Sequence, residues 1–161
     1  NEDHLIARVM LKVFETLQVP VSGLYLRCVN KIPHGRGLGS SAAAITAGVV
    51  AARALAASAA SEMDDEGALD FATAIEGHPD NVAACLLGGL TLSWTDSHQH
   101  HSVSMPKSDH EHIHSDGVHS HAVKLNVHPD IVPIVFIPKF EMETRQARLL
   151  LPSHIPSRPR R

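Results

Sequence analysis

Residues 33–44 read Pro33-His34-Gly35-Arg36-Gly37-Leu38-Gly39-Ser40-Ser41-Ala42-Ala43-Ala44. Three glycines alternate along a short loop, two serines follow, and an Ala-rich run begins at once. Glycine carries no Cβ and tolerates unusual φ/ψ, so such a loop can bring backbone N–H groups close to an anion. The serines fall at the start of a helix, where orphan N–H groups and the helix dipole favour phosphate. The pattern points to a nucleotide. It is neither of the two better-known phosphate loops. A P-loop requires G-x-x-x-x-G-K-[ST], and Ser40 stands where that lysine would be. The dinucleotide fingerprint G-x-G-x-x-G needs its third glycine one residue later than Gly39. The plain alternative is a glycine-rich turn, capped by a serine, ahead of an ordinary helix.

On the N-terminal side, Leu5, Ile6, Val9, Met10, Val13, Phe14 and Leu17 form one apolar stripe and predict a helix over 3–17. Pro20 lies just beyond its end. Residues 24–29 alternate like a half-buried strand, with Leu24, Leu26 and Cys28 on one face. After the loop, the small residues from Ala42 onward predict a helix over 41–57. A second helix follows over 65–76, carrying Leu69, Phe71, Ala72 and Ile75. Gly77-His78-Pro79 breaks it, and Asp80 is placed to cap a short helix running to Leu87. Gly88-Gly89 turns into a strand over 90–94. Further strands are expected over 123–127 and 132–137, with Pro133 marking an edge or bulge. A last helix is expected over 144–151, ending before Pro152.

Residues 98–121 hold eight of the thirteen histidines, with Ser, Asp and Gly and few apolar residues. That composition cannot bury a core and reads as a flexible surface insertion. The expected organisation is a core over 1–97, the insertion over 98–121, a continuation over 122–156 and an unstructured tail over 157–161. At 161 residues and 43% hydrophobic, the chain is long and apolar enough for one globular domain. A net charge of −3 gives no sign of a nucleic-acid or anionic-membrane partner. Cys28 and Cys85 stand far apart, so a disulfide framework or cysteine-based metal site is not expected and a reducing cytoplasm fits. No apolar run reaches spanning length. The chain opens on Asn1 with a helix already under way, from which a truncated N-terminus is expected.

The segment Glu76-Gly77-His78-Pro79-Asp80-Asn81-Val82-Ala83-Ala84, taken with 33–44, resembles the homoserine kinases of the GHMP small-molecule kinase superfamily. Further segments follow in the expected order: Leu87-Gly88-Gly89-Leu90-Thr91-Leu92, then Val127-His128-Pro129-Asp130-Ile131-Val132-Pro133, then Thr144 to Pro152. The likeness covers nearly the whole chain except the His-rich stretch and the last residues. It implies an α+β domain with a largely antiparallel sheet packed on helices. It also implies transfer of the ATP γ-phosphoryl group to the side-chain hydroxyl of L-homoserine, a step toward threonine, with Mg²⁺.

The resemblance assigns roles residue by residue. Pro33 to Ala43 would wrap the ATP triphosphate, and Ser41 matches a serine whose hydroxyl ligates Mg²⁺. A second metal ligand is a carboxylate, for which Asp70 fits by spacing and Glu76 competes. Asp80 and Asn81 match the pair near the phosphoryl acceptor. Asn81 would orient the substrate hydroxyl, and the base is left open. Thr144 and Arg148 match positions that contact the amino-acid substrate, where Arg148 can hold its carboxylate bidentately. Read without the resemblance, Ser41 and Asp80 are helix caps, Asp70 and Glu76 are solvated carboxylates, and Arg148 is a helix-surface arginine.

The family's P-A-S-x-A-N-type and G-A-G-P-type motifs are absent, and the tail after Ile155 no longer resembles it. The chain therefore reads as the central piece of such a kinase, with little or no turnover expected of it alone. Unpartnered strand edges would favour association, a homodimer being one form. Two other classes stay open. His110, His112, His114, His119 and His121 can form a Zn²⁺- or Ni²⁺-binding stretch, and the chain can be a non-catalytic fragment that binds a nucleotide or a partner.

Overall fold

The computed structural model describes residues 4–56, 59, 62–97, 118–137 and 139. Among them run α1 (Leu5–Thr16), α2 (Ser40–Ala56), α3 (Asp65–Glu76), α4 (Pro79–Leu87), β1 (Leu90–Ser97) and β2 (Val118–Leu125). This is an α+β arrangement, with helices packed on one antiparallel ladder.

The core is helical. The α1 stripe buries Val9, Met10, Val13 and Phe14, and Leu17 just beyond its end is buried with them. They meet Ala42, Ile45, Val49 and Ala52 of α2 and, beyond them, Ala68, Leu69 and Ala72 of α3 and Val82 and Ala83 of α4. The small residues of α2 allow this three-sided contact. At Gly48 a Cβ would lie 2.7 Å from Val9 Cγ1 and 3.1 Å from the Ile6 carbonyl oxygen. Only hydrogen fits where α1 crosses α2.

Helix ends follow local chemistry. Asp64 caps α3 by accepting from the Gly67 N–H at 2.8 Å. Gly77 closes α3 in the left-handed region at φ 94°. Pro79 then opens α4 at its first position, where a missing N–H costs nothing. The cap of α4 is His78, not the expected Asp80. Pro79 has a fixed φ suited to the first turn, so the helix starts there and Asp80 falls inside that turn. Asp64→Ala should lower stability by about 1 kcal/mol, read as a shifted urea midpoint with an unchanged slope; a neutral effect would remove the cap.

The sheet departs from expectation in two ways. β2 begins at Val118, so His119, Ser120 and His121, expected in the insertion, are ladder residues paired with Asp96, Thr95 and Trp94. The reason is tertiary: Asp70 of α3 accepts from the Ser120 N–H at 2.5 Å and lies 3.2 Å from His119 Nδ1. Secondly, residues 24–29 and 132–137 join no ladder among the described residues. Leu24 and Leu26 do pack on the core, while Tyr25, Val29 and Phe136 are exposed. A strand is defined by its partner, and none lies beside these segments among the described residues. The ladder turns its more polar row inward. Ser120 is buried, Ala122 touches the core and Lys124 Nζ donates to the Leu87 carbonyl at 2.9 Å, so this row faces the helices. Leu90, Leu92, Trp94, Val123 and Leu125 are exposed.

The helix expected over 144–151 and most of the insertion lie outside the described residues. No helix among the described residues is long and apolar enough to cross a membrane.

Candidate active site

The stretch 33–44 forms one wall of a cleft of about 840 Å³. The first residues of α1, residues 28–30, the end of α3 and the start of α4 complete it. Gly35, Gly37 and Gly39 all adopt left-handed φ, at 63°, 71° and 66°. Alternating left-handed residues turn successive N–H groups toward one concavity, an anion-binding form that side chains with a Cβ would resist. α2 starts immediately after, at Ser40. Its first intrahelical bond is from the Ala43 N–H to the Gly39 carbonyl at 2.9 Å. The N–H groups of Ser40, Ser41 and Ala42 thus sit at the positive end of the helix dipole. Ala42 differs from the rest of the expected loop set, being fully buried in the core and contributing backbone alone.

Two further groups reach the cleft from other helices. Asn81, on the first turn of α4, packs on the loop: a Cβ at Gly39 would stand 3.6 Å from Asn81 Cγ. Glu76, at the end of α3, accepts a hydrogen bond from Ser41 Oγ at 2.8 Å. The fold therefore brings together Ser41 and Glu76, 35 positions apart in the chain. It takes the carboxylate favoured by spacing elsewhere, because both oxygens of Asp70 face β2. Asp80 does not line the cleft. Its Oδ1 accepts from the Asn81 N–H at 2.7 Å and pairs with His78 Nδ1. That bond steadies the turn from which Asn81 projects, and His78 shapes it.

The Ser41–Glu76 pair suits a hard divalent cation. Both atoms are oxygens, one is anionic, and they already lie within one coordination radius of a common point. Two protein ligands, with the remainder from phosphates and water, is how Mg²⁺ is commonly held in nucleotide sites. Next to Glu76, burial pushes the Cys85 thiol up; the Thr46 hydroxyl opposes that shift and the Glu76 charge adds to it. Cys85 is accordingly a poor nucleophile.

Thr144, Arg148, His110, His112 and His114 lie outside the described residues. His119 and His121 are engaged with Asp70 and Asp96 in the sheet. Among the described residues no group of three His, Cys, Asp or Glu could hold a metal ion. Asn30 and Cys28 line the cleft and were not singled out from the sequence. The signal for Asn30 was present: a polar residue that ends an apolar run just before the loop.

Residues 4–89 match the family described as "GHMP kinases N terminal domain". The chain belongs to the GHMP kinases. Within that family it is 46% identical over 156 residues to a homoserine kinase of Streptomyces coelicolor, covering 97% of this chain and 44% of that protein. It is 45% identical to the homoserine kinase of Streptomyces avermitilis, over 97% of this chain and 45% of the relative. A homoserine kinase of Mycobacterium tuberculosis is 38% identical over 95% of this chain and 44% of its own length. The chain thus spans under half the length of the curated relatives it matches. The GHMP domain match contains the whole glycine-rich stretch 33–44, Glu76 and Asn81.

Proposed function

We propose that this chain forms the nucleotide-binding part of a kinase that transfers the γ-phosphoryl group of ATP to the side-chain hydroxyl of L-homoserine. The observation that supports this reading most directly is the convergence of three left-handed glycines, a helix start and the Ser41–Glu76 pair on one cleft. The homoserine kinase relatives supply the acceptor.

In such a reaction the protein chiefly positions reactants and neutralises charge. The N–H groups of the loop and of the first turn of α2 would hold the phosphate oxygens. Ser41 and Glu76 would hold Mg²⁺. When bound, the ion spreads the charge that develops on the transferred group. Asn81, fixed against the loop at Gly39, would direct the acceptor hydroxyl toward the γ-phosphorus, and Thr144 and Arg148 would hold the amino-acid end. Asp80 would act through the turn that carries Asn81.

The reading is tested by steady-state kinetics of the full-length protein with homoserine, mevalonate and galactose as competing acceptors. Homoserine should be preferred; preference for either other alcohol removes homoserine and leaves the family standing. In the same assay Arg148→Ala should raise the homoserine KM by about tenfold or more, the loss of one charge-assisted bidentate contact. The ATP KM should stay within about twofold, because the phosphate loop is untouched. Equal effects on both would displace Arg148 from the acceptor site.

A further inference from the structure

Asp96 and His121 lie diagonally across one face of the ladder, since Asp96 pairs with His119 and Trp94 with His121. His121 Nε2 is 3.0 Å from Asp96 Oδ1, and the His121 and Asp96 side chains are 37% and 47% exposed. The His121 ring stacks on Trp94, with centroids 5.3 Å apart. None of these residues lines the cleft. We propose that Asp96 Oδ1 and His121 Nε2 are the two protein donors of a site for a divalent transition-metal ion, at the end of the ladder where β1 stops and β2 starts. The proposal stands apart from the nucleotide reading of the cleft.

The donor set selects the class of ion. An imidazole nitrogen beside a carboxylate oxygen suits nickel, copper and zinc, whereas magnesium and calcium prefer oxygen alone. The separation narrows the choice. Donors about 2.1 Å from an ion stand about 3.0 Å apart at a right angle, and about 3.4 Å apart at the tetrahedral angle of zinc. The observed 3.0 Å matches the right angle of a tetragonal or octahedral shell, as Ni²⁺ adopts with nitrogen and oxygen ligands. The ion replaces the proton that the pair shares, so metal uptake releases it. The ion sits to one side of the line joining the two atoms. The ring therefore turns a little about χ2, a soft torsion at a solvent-open strand end.

Among the described residues no third His, Cys, Asp or Glu joins the pair, so water completes the shell. His119 is drawn the other way. Its Nδ1 lies 3.2 Å from Asp70, a carboxylate only 17% exposed that also holds the Ser120 N–H. An ion there would have to displace that buried contact, while His121 and Asp96 stay open to solvent. Both donors sit on ladder strands, and the Trp94 stack limits where the ring can go. The ion would join β1 to β2 through side chains at the end of a two-stranded ladder, which is marginal by itself. An ion that binds the folded ladder and not the unfolded chain stabilises it by mass action.

The test titrates Ni²⁺ alone into the full-length protein, free of any affinity tag. The emission due to Trp94 is read as the difference from Trp94→Phe. An ion held on the ring that stacks against the indole should quench this emission in a saturable way, and excess Mg²⁺ should not compete. Asp96→Asn and His121→Phe should each weaken Ni²⁺ binding about tenfold or more. His121→Phe keeps a ring against Trp94, so its loss is one of a donor and not of packing. The triple variant His110→Ala/His112→Ala/His114→Ala should bind Ni²⁺ as the unsubstituted protein does. Ni²⁺ should also raise the thermal midpoint of the unsubstituted protein and leave that of His121→Phe in place. Absence of Trp94-dependent quenching, unchanged affinity in Asp96→Asn and His121→Phe, or loss of binding in the triple variant alone would overturn the site.

Discussion

Gly48→Val should destabilise the fold by about 3 kcal/mol, and Gly48→Ala by about 1–2 kcal/mol, even though alanine is the better helix former by up to about 1 kcal/mol. The Cβ added in either variant would meet Val9 Cγ1 at 2.7 Å and Val9 Cβ at 2.8 Å. Val9 is 2% exposed in the middle of the α1 stripe, so it has no empty space to enter. The Ile6 carbonyl, at 3.1 Å, is backbone and moves only with its helix. Relief thus requires α1 and α2 to separate, which opens contacts along the whole crossing. Urea denaturation of the full-length protein reads the loss. The Val9→Ala/Gly48→Ala pair sharpens it: removing the Val9 methyls makes room, so the double variant should be more stable than the sum of the two single losses. A neutral or stabilising Gly48→Ala would mean that the helices do not touch here.

Glu76→Gln and Ser41→Ala should each lower turnover and MgATP affinity by about a hundredfold. Each removes one of the two oxygen groups proposed to hold the cation, and Glu76→Gln also removes the negative charge with little change of shape. Gly37→Val should weaken nucleotide binding for a different reason. Gly37 has open space around the position of a Cβ but sits at φ 71°, so valine there is strained whatever its surroundings. The informative comparison is Asp70→Asn. Its carboxylate serves the Ser120 N–H and His119, so its loss should lower stability by about 1–3 kcal/mol and leave MgATP affinity unchanged. Isothermal titration of MgATP into the full-length variants separates the two carboxylates. If Asp70→Asn abolishes binding while Glu76→Gln does not, the assignment of the cation to Ser41 and Glu76 is reversed.

Leu90, Leu92, Trp94, Val123 and Leu125 form an exposed apolar row on one face of the ladder. A two-stranded ladder is marginal unless its apolar face is covered. Here the helices take the polar row instead, through Ser120, Ala122 and Lys124. Trp94 is half-sheltered by stacking on His121, with ring centroids 5.3 Å apart.

The sequence by itself determined what depends on near neighbours along the chain. The α1 stripe, the end of α3 at Gly77 and the glycine loop ahead of α2 follow from helical periodicity, a glycine-proline break and the lack of a Cβ. Each is settled within a few residues, so the pattern was legible without a partner. The tertiary structure alone decided what depends on residues far apart. Whether 24–29 joins a ladder depends on a neighbouring strand. Which face of Leu90–Ser97 turns inward depends on α4. The start of β2 at Val118 depends on Asp70, and the choice of Glu76 over Asp70 beside Ser41 depends on where the end of α3 meets the start of α2. Alternation and spacing define which residues share a face, but packing decides what that face meets, since burial free energy belongs to a contact between elements and not to either one alone.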